Sequence, residues 1–281
     1  MQSQWTEQTP DPDFELGPRP PRALVEVLSP WTVLVLAFGC LVLDQVLTMA
    51  LWSSGHHATA IMVGGLGGVV LPLMLITRAL GLSWLRELGL HPMHWWEMSL
   101  VTMIAATILP PIYALDVLSE RLFPPGREAM EFYTGLVPHD MRGWIGGFLA
   151  IVIVGPLAEE ILFRGVMFQL GVRYIAVPIA IGVTAILFGI SHLTLWMFLP
   201  ITVLGIVLGM LTWMTRSVSS AWLCHALFNL AAFAELGWFQ DPTASRLQAR
   251  SQHPALWVPS LGLAIVGMVV LGRTVRAQKT R

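Results

Sequence analysis

The sequence predicts an all-α polytopic integral membrane protein with about eight transmembrane helices. Of its 281 residues, 55% are hydrophobic and only 12% are charged, and the mean hydropathy is +0.69. Soluble domains carry about 25% charged residues, so an ordinary soluble protein is excluded. The apolar residues also cluster in runs of about 20, the length that a helix needs to cross a bilayer core.

The chain divides into a membrane domain and two polar tails. Residues 1–30 are polar and rich in proline, and they lack a basic region followed by a cleavage site. They are interpreted as a disordered cytoplasmic tail and not as a signal peptide. The membrane domain covers residues 31–272, and residues 273–281 form a basic cytoplasmic tail. Its predicted spans are residues 31–52, 58–77, 97–118, 143–171, 174–194, 196–214, 217–236 and 255–272.

Aromatic and small residues support individual spans. Trp31 and Trp52 bracket the first span as interfacial anchors. The pattern Gly64-x-x-x-Gly68 in the second span favours a close approach by another helix. Net charge is −1 and the two cysteines lie in apolar runs, so neither nucleic-acid binding nor a disulfide framework is indicated.

The distribution of basic residues predicts the orientation. With the N-terminus inside, ten arginine and lysine residues fall in inner segments and five in outer loops, which with Arg164 makes the full 16. The positive-inside rule therefore places both termini in the cytoplasm. The protein is expected to be integral to the cell inner membrane.

Three charged residues interrupt the fourth predicted span, in the stretch "GPLAEEILFRGV". Each ionisable group at the centre of a membrane helix costs about 2.5–3.5 kcal/mol on insertion scales. Glu160 and Arg164 are four residues apart with the acid first, which favours an ion pair along the helix. Glu159 has no such local partner, and Pro156 just before it removes a backbone donor. The pattern therefore predicts a functional carboxylate at Glu159.

Two later spans carry further polar pairs at helical spacing. Phe188 and His192 lie one turn apart late in the fifth span, and His225 and Asn229 lie one turn apart in the seventh. A carboxylate, two imidazoles and a carboxamide on three helices can together activate water and stabilise an oxyanion. Taken singly, each of these polar residues is as well explained by packing between helices.

Counting along the helices estimates the depth of these groups. Glu159 lies 15 residues before Tyr174 and His192 lies 18 residues after it, which places the two within about 5 Å of the same depth. His225 lies about 14 Å from the inner rim, against about 22 Å for Glu159. The count therefore brings Glu159 and His192 together and leaves a mismatch for His225.

The three motifs together resemble the CPBP family of intramembrane proteases, which includes the type II CAAX prenyl endopeptidases and the bacterial Abi, or bacteriocin-processing, proteins. The resemblance covers about residues 143–235. The motifs that carry it are Glu159-Glu160-x-x-x-Arg164, Phe188-x-x-x-His192 and His225-x-x-x-Asn229. The resemblance gives Glu160, Arg164 and Phe188 supporting roles.

The resemblance also implies the catalytic roles. Glu159 would be the general base that activates water, assisted by His192. His225 and Asn229 would stabilise the tetrahedral oxyanion. A zinc site made of Glu159, His192 and His225 is the second mechanism, because two histidines and one glutamate can leave an open position for water. No obligatory cofactor is expected, and zinc remains the alternative.

The function expected is an endopeptidase that hydrolyses a peptide bond in a membrane-associated substrate. That substrate would be a CAAX-like or other C-terminal peptide, and the other partner is the lipid bilayer. An ion-coupled transporter is a different reading, because carriers also place carboxylates and glycine–proline breaks in their spans. A third is a non-catalytic immunity or scaffold protein that keeps the same fold.

Overall fold

The computed structural model describes residues 24–239 and 257–279, and every regular element in those ranges is a helix. Two of the long helices, α3 and α7, include wider turns but run without a break. The helices are α1 (Leu24–Val27), α2 (Pro30–Trp52), α3 (His57–Ala79), α4 (Trp84–Glu87), α5 (Trp95–Leu122), α6 (Arg127–Gly135), α7 (Met141–Tyr174), α8 (Val177–Ser191), α9 (Leu195–Thr215), α10 (Val218–Phe239) and α11 (Trp257–Lys279).

The prediction of an all-α polytopic membrane protein is confirmed. Six helices in the described ranges are long and apolar enough to cross a membrane, namely α2, α3, α5, α7, α9 and α11. The predicted count of eight is not confirmed. Helix α8 is apolar but has 15 residues, or about 22 Å of helix. Helix α10 has 22 residues and carries His225 and Asn229.

The ends of the membrane domain differ from the predicted tails. Residues 24–27, assigned by sequence to a disordered tail, form α1, and Leu24 is buried in the core. The prediction is wrong for these residues because Leu24 packs into the core, and residues 1–23 lie outside the described ranges. At the other end α11 continues to Lys279, so most of the predicted basic tail prolongs the last helix.

The core is formed by apolar residues where α5, α7 and α9 face one another. Helix α5 packs against α9, α10 and α11, and its fully or nearly buried residues recur at helical spacing as Ile104, Ile108 and Ile112. Helix α9 has buried leucines at similar spacing, namely Leu204, Leu208 and Leu211. This spacing keeps one stripe of each helix on the core and leaves the other faces to lipid. The core thereby holds α7 in the interior of the protein.

Helices α3 and α7 contain wide π-helical turns. They occur at Gly64–Val70 in α3 and at Phe148–Val154 and Ile161–Met167 in α7. In one of them the amide of Gly155 reaches back to the carbonyl of Ala150, five residues earlier. Glu159 and Glu160 lie in the short α-helical stretch between the two wide segments of α7. Wide turns of this kind occur most often at functional sites.

Helices α2 and α3 are in backbone contact at the predicted glycine pair. A Cβ atom on Gly68 would lie 2.5 Å from the Cα of Asp44, and one on Gly64 would lie 2.9 Å from the carbonyl oxygen of Asp44. No side chain fits at those distances unless the helices separate. The glycine pattern therefore acts as predicted, and it brings Asp44 against the middle of α3.

Replacing Gly68 with alanine is expected to lower the thermal unfolding midpoint of the purified protein in detergent. The added methyl group collides with the backbone of Asp44, and such overpacking costs about 1–3 kcal/mol. Gly39→Ala is the matched control, because a Cβ at Gly39 meets nothing within 4 Å. Equal unfolding midpoints for the two variants would contradict the close contact.

Candidate active site

The predicted ion pair between Glu160 and Arg164 is present in the interior. Nη1 of Arg164 donates to Oε1 of Glu160 at 2.9 Å, and both side chains are fully buried. Nη2 of Arg164 donates to the carbonyl oxygen of Gly205 on α9 at 3.0 Å. The guanidinium therefore ties α7 to α9 and neutralises the buried carboxylate.

Glu160 also holds a histidine, which the sequence did not predict. Nδ1 of His225 lies 2.9 Å from Oε1 of Glu160. A carboxylate can only accept a hydrogen bond, so Nδ1 carries the proton and Nε2 of the neutral ring keeps a free lone pair. Glu160 thus sets the orientation and tautomer of His225 across two helices. Only the packing of α10 against α7 reveals this contact.

Glu159 occupies a different environment from its neighbour. Its side chain is 37% exposed, whereas that of Glu160 is 0% exposed. Its Oε2 lies 3.8 Å from Nε2 of His225. A carboxylate that water can reach is placed to act as a general base, and the nearby imidazole nitrogen can share the proton that it takes up; a fully buried and paired carboxylate is not so placed.

Phe188 lies at the centre of the site. Its ring meets the rings of His192 and His225 edge-on, with centroids 5.0 and 5.7 Å away. The guanidinium carbon of Arg164 lies 4.5 Å from its centroid, a cation–π distance. Phe188 is fully buried. It therefore fixes the spacing of the two histidines and packs on the ion pair.

His192 caps the end of α8. Its Nδ1 lies 2.9 Å from the carbonyl oxygen of Phe188, so Nδ1 carries the proton and Nε2 is left to accept one. Within the described residues, the imidazole nitrogen that lies within 4 Å of the Glu159 carboxylate belongs to His225 and not to His192. The depth estimate placed His192 beside Glu159, but the structure joins the two through Phe188 and His225.

Asn229 bonds to a carbonyl group that a proline leaves without a partner. Its Nδ2 donates to the carbonyl oxygen of Ile151 at 2.9 Å. In the wide turn the amide of Gly155 donates to the carbonyl oxygen of Ala150, five residues earlier. The same spacing would pair the carbonyl of Ile151 with the amide of residue 156, but residue 156 is proline and has no amide hydrogen. One amide hydrogen of Asn229 therefore stabilises the distorted helix, and the other is free to serve a ligand.

The loop that joins α4 to α5 explains how His225 reaches the depth of Glu160. The carbonyl oxygen of Leu88 would lie 3.0 Å from a Cβ on Gly165, and the amide of Val218 donates to the next carbonyl, that of Gly89, at 2.8 Å. The start of α10 is thus level with Gly165 of α7. Seven residues lead from Val218 to His225, about 10 Å, and five lead back from Gly165 to Glu160, about 7 Å.

The remainder of α7 forms a protruding hairpin with α8. Tyr174 lies nine residues after Gly165, so the hairpin extends about 14 Å beyond the turn between α9 and α10 on the same side of the membrane domain. The depth mismatch estimated for His225 came from treating both turns as the same rim. The hairpin accounts for that mismatch.

The predicted zinc alternative needs Glu159, His192 and His225 to converge on one point. Within residues 24–239 and 257–279, no group of three or more histidine, cysteine, aspartate or glutamate side chains is arranged so that it could hold a metal ion. Nδ1 of His225 faces Glu160 and Nδ1 of His192 faces a backbone carbonyl. The side chains as placed in the described residues do not fit zinc.

Comparison with known proteins identifies the same segment. Residues 141–231 match the family model described as type II CAAX prenyl endopeptidase Rce1-like, which is about a third of the chain. The match contains all three motifs and confirms the predicted resemblance to the CPBP family. No curated protein and no solved structure matches the chain.

Proposed function

We propose that this integral membrane protein, whose residues 141–231 match the type II CAAX prenyl endopeptidases, hydrolyses a peptide bond with water activated by Glu159. The observation that carries the proposal is the contrast between two adjacent carboxylates. Glu160 is fully buried and paired, whereas Glu159 is accessible and lies 3.8 Å from an imidazole nitrogen. Only Glu159 combines access for water with a position to receive its proton.

The proposed reaction begins with transfer of a proton from water to Glu159. The hydroxide oxygen forms a bond to the carbonyl carbon of the scissile peptide, and the carbonyl oxygen becomes an oxyanion. The proton then passes to the leaving amide nitrogen as the carbon–nitrogen bond breaks, which yields a carboxylic acid and an amine, and the acid then gives its remaining proton to solvent. Nε2 of His225 is placed to share that proton with Glu159, because its lone pair faces the carboxylate.

The oxyanion requires donors on the same side of the site. Once Nε2 of His225 has gained a proton, the ring is a cation that Glu160 holds in place, and it stabilises the negative oxygen. The second amide hydrogen of Asn229, one turn along the same helix, is the other donor. His192 assists from α8 through the Nε2 atom that its cap leaves free.

The proposed substrate is a peptide held at the membrane, with a CAAX-like C-terminus as the first class to examine. The matched family name supports that class, and the site lies on membrane helices, where an anchored peptide can reach it. We place the protein in the cell inner membrane with both termini in the cytoplasm, following the excess of basic residues in the inner segments.

The test is cleavage of membrane-tethered fluorogenic peptides by the purified protein in detergent or liposomes, in the presence and absence of a zinc chelator. We expect cleavage at one bond, identified by mass spectrometry, with kcat/KM unchanged by the chelator. Loss of turnover on chelation that returns with added zinc would replace the mechanism with a metal-dependent one. Absence of turnover on CAAX-like and unprenylated peptides alike would contradict the proposed function.

A further inference from the structure

Asp44 is an acidic residue in the middle of α2 that the proposed reaction does not use. It is the only Asp, Glu, Lys or Arg in that 23-residue span, and 14 residues precede it. An ionisable group at this depth costs about 2.5–3.5 kcal/mol on insertion scales, and such residues mark functional sites. Its recorded hydrogen bond is from the neutral amide of Gln45, at 3.4 Å. No cation among the described residues forms a salt bridge with Asp44.

The glycine-rich segment of α3 packs against both α2 and α7, and α2 also contacts the wide segment Ile161–Met167 of α7 directly. A Cβ on Gly64 would lie 2.7 Å from Oδ1 of Asp44, and a Cβ on Gly65 would lie 3.1 Å from the Cβ of Ala158. Ala158 directly precedes Glu159. Asp44 on α2 and the residue that precedes Glu159 on α7 therefore lie against neighbouring glycines of α3, which places the two acidic residues in the same part of the membrane domain.

The charges around the site do not balance. Arg164 neutralises Glu160, and the neutral form of His225 adds no charge. Glu159 and Asp44 remain, both partly accessible and both negative when ionised. In a medium of low dielectric constant such an excess is relieved either by protonation of a carboxylate or by a positively charged ligand. Glu159 must face water to act, so the group left to bind a cation is Asp44.

We propose that Asp44 binds the side chain of a lysine or arginine of the substrate near the scissile bond, and so gives the enzyme a preference for basic peptides. The inference rests on the proposed function and adds a specificity to it. A lysine side chain carries its charge on a flexible four-carbon stem, which can lie along apolar helix surface while the ammonium reaches the carboxylate.

The experiment measures binding without cleavage. Labelled, membrane-tethered peptides that differ in one residue, lysine or the similarly long methionine, are titrated into the Glu159→Gln protein, with the varied residue moved along the peptide. At one position the lysine peptide is expected to bind about tenfold tighter than its methionine partner, as for a hydrogen bond to a charged group. Adding Asp44→Asn is expected to reduce that ratio to about two or less.

A matched control is Asp140→Asn, which removes a carboxylate at the outer start of α7. Asp140 caps that helix by accepting from the amide of Gly143, and asparagine caps equally well, so the lysine-to-methionine ratio should not change. Equal binding of both peptides at every position, or a preference that survives Asp44→Asn, would overturn the inference. If the protein with Asp44→Asn does not fold, a peptide with glutamate at the same position is titrated into the Glu159→Gln protein in which Asp44 is unaltered. That peptide is expected to bind more weakly than the lysine and methionine peptides.

The binding readout separates the two proposals. A lysine preference that depends on Asp44, found without any hydrolysis by the protein with Glu159 intact, supports the binding site and counts against the protease. Hydrolysis that depends on Glu159 but proceeds equally well on peptides of different charge supports the protease and counts against the binding site.

Discussion

Replacing Glu159 with glutamine is expected to lower kcat/KM for peptide hydrolysis by about a thousandfold, within the usual contribution of a general base. Glutamine has nearly the same shape but cannot take a proton from water. The fold should be unaffected, because the side chain is 37% exposed and its contact with His225 is a loose one of 3.8 Å. The measurement is the initial rate of cleavage of the peptide on which the unaltered protein is most active.

The control for this variant is Glu128→Gln, which removes an exposed carboxylate from the first turn of α6. Both variants should elute as the same species in size-exclusion chromatography and unfold at closely similar temperatures, and only the Glu159 variant should be inactive. Retention of more than about a tenth of the original rate by the Glu159 variant would show that another group activates water, since a lost general base removes at least a hundredfold.

The sequence predicted the long helices and the pairs within them, because each motif places its residues four positions apart, about one helical turn. Glu160 and Arg164, four residues apart, could be paired from spacing alone, and the structure contains that pair. Hydropathy indicated the long spans for the same reason, since burial in lipid requires continuous apolar runs. Spacing within one helix and the length of an apolar run depend only on neighbouring residues, so both can be predicted from the sequence.

Contacts between helices could not be read in the same way. The bond from His225 to Glu160 depends on how far α10 rises beside α7, and that depends on the loop at Leu88 and Gly89. The bond from Asn229 to Ile151 depends on a wide turn that shifts the hydrogen-bond register before Pro156. Both require backbone geometry that residue spacing does not encode.

Removing either member of the buried ion pair is expected to destabilise the protein strongly. Glu160→Gln leaves the guanidinium of Arg164 fully buried without its carboxylate, and Arg164→Met leaves the carboxylate without its cation. Breaking such a pair costs about 3–5 kcal/mol, whereas replacing both charges together is often close to neutral. The thermal unfolding midpoint in detergent should therefore fall for each single variant and largely recover when both changes are combined.

Two double variants separate the structural role of Glu160 from its hold on His225. Glu160→Gln with Arg164→Met keeps an oxygen that can accept from Nδ1 of His225, whereas Glu160→Leu with Arg164→Met does not. Both lack the buried charges, so the glutamine version should approach the original unfolding temperature, and the leucine version should fall somewhat below it because the buried Nδ1–H of His225 has lost its acceptor. The leucine version should have a kcat/KM lower by about tenfold or more, since a misplaced catalytic group can cost about a hundredfold. Equal activity of the two would mean that Glu160 serves the fold and leaves the orientation of His225 to its packing against Phe188.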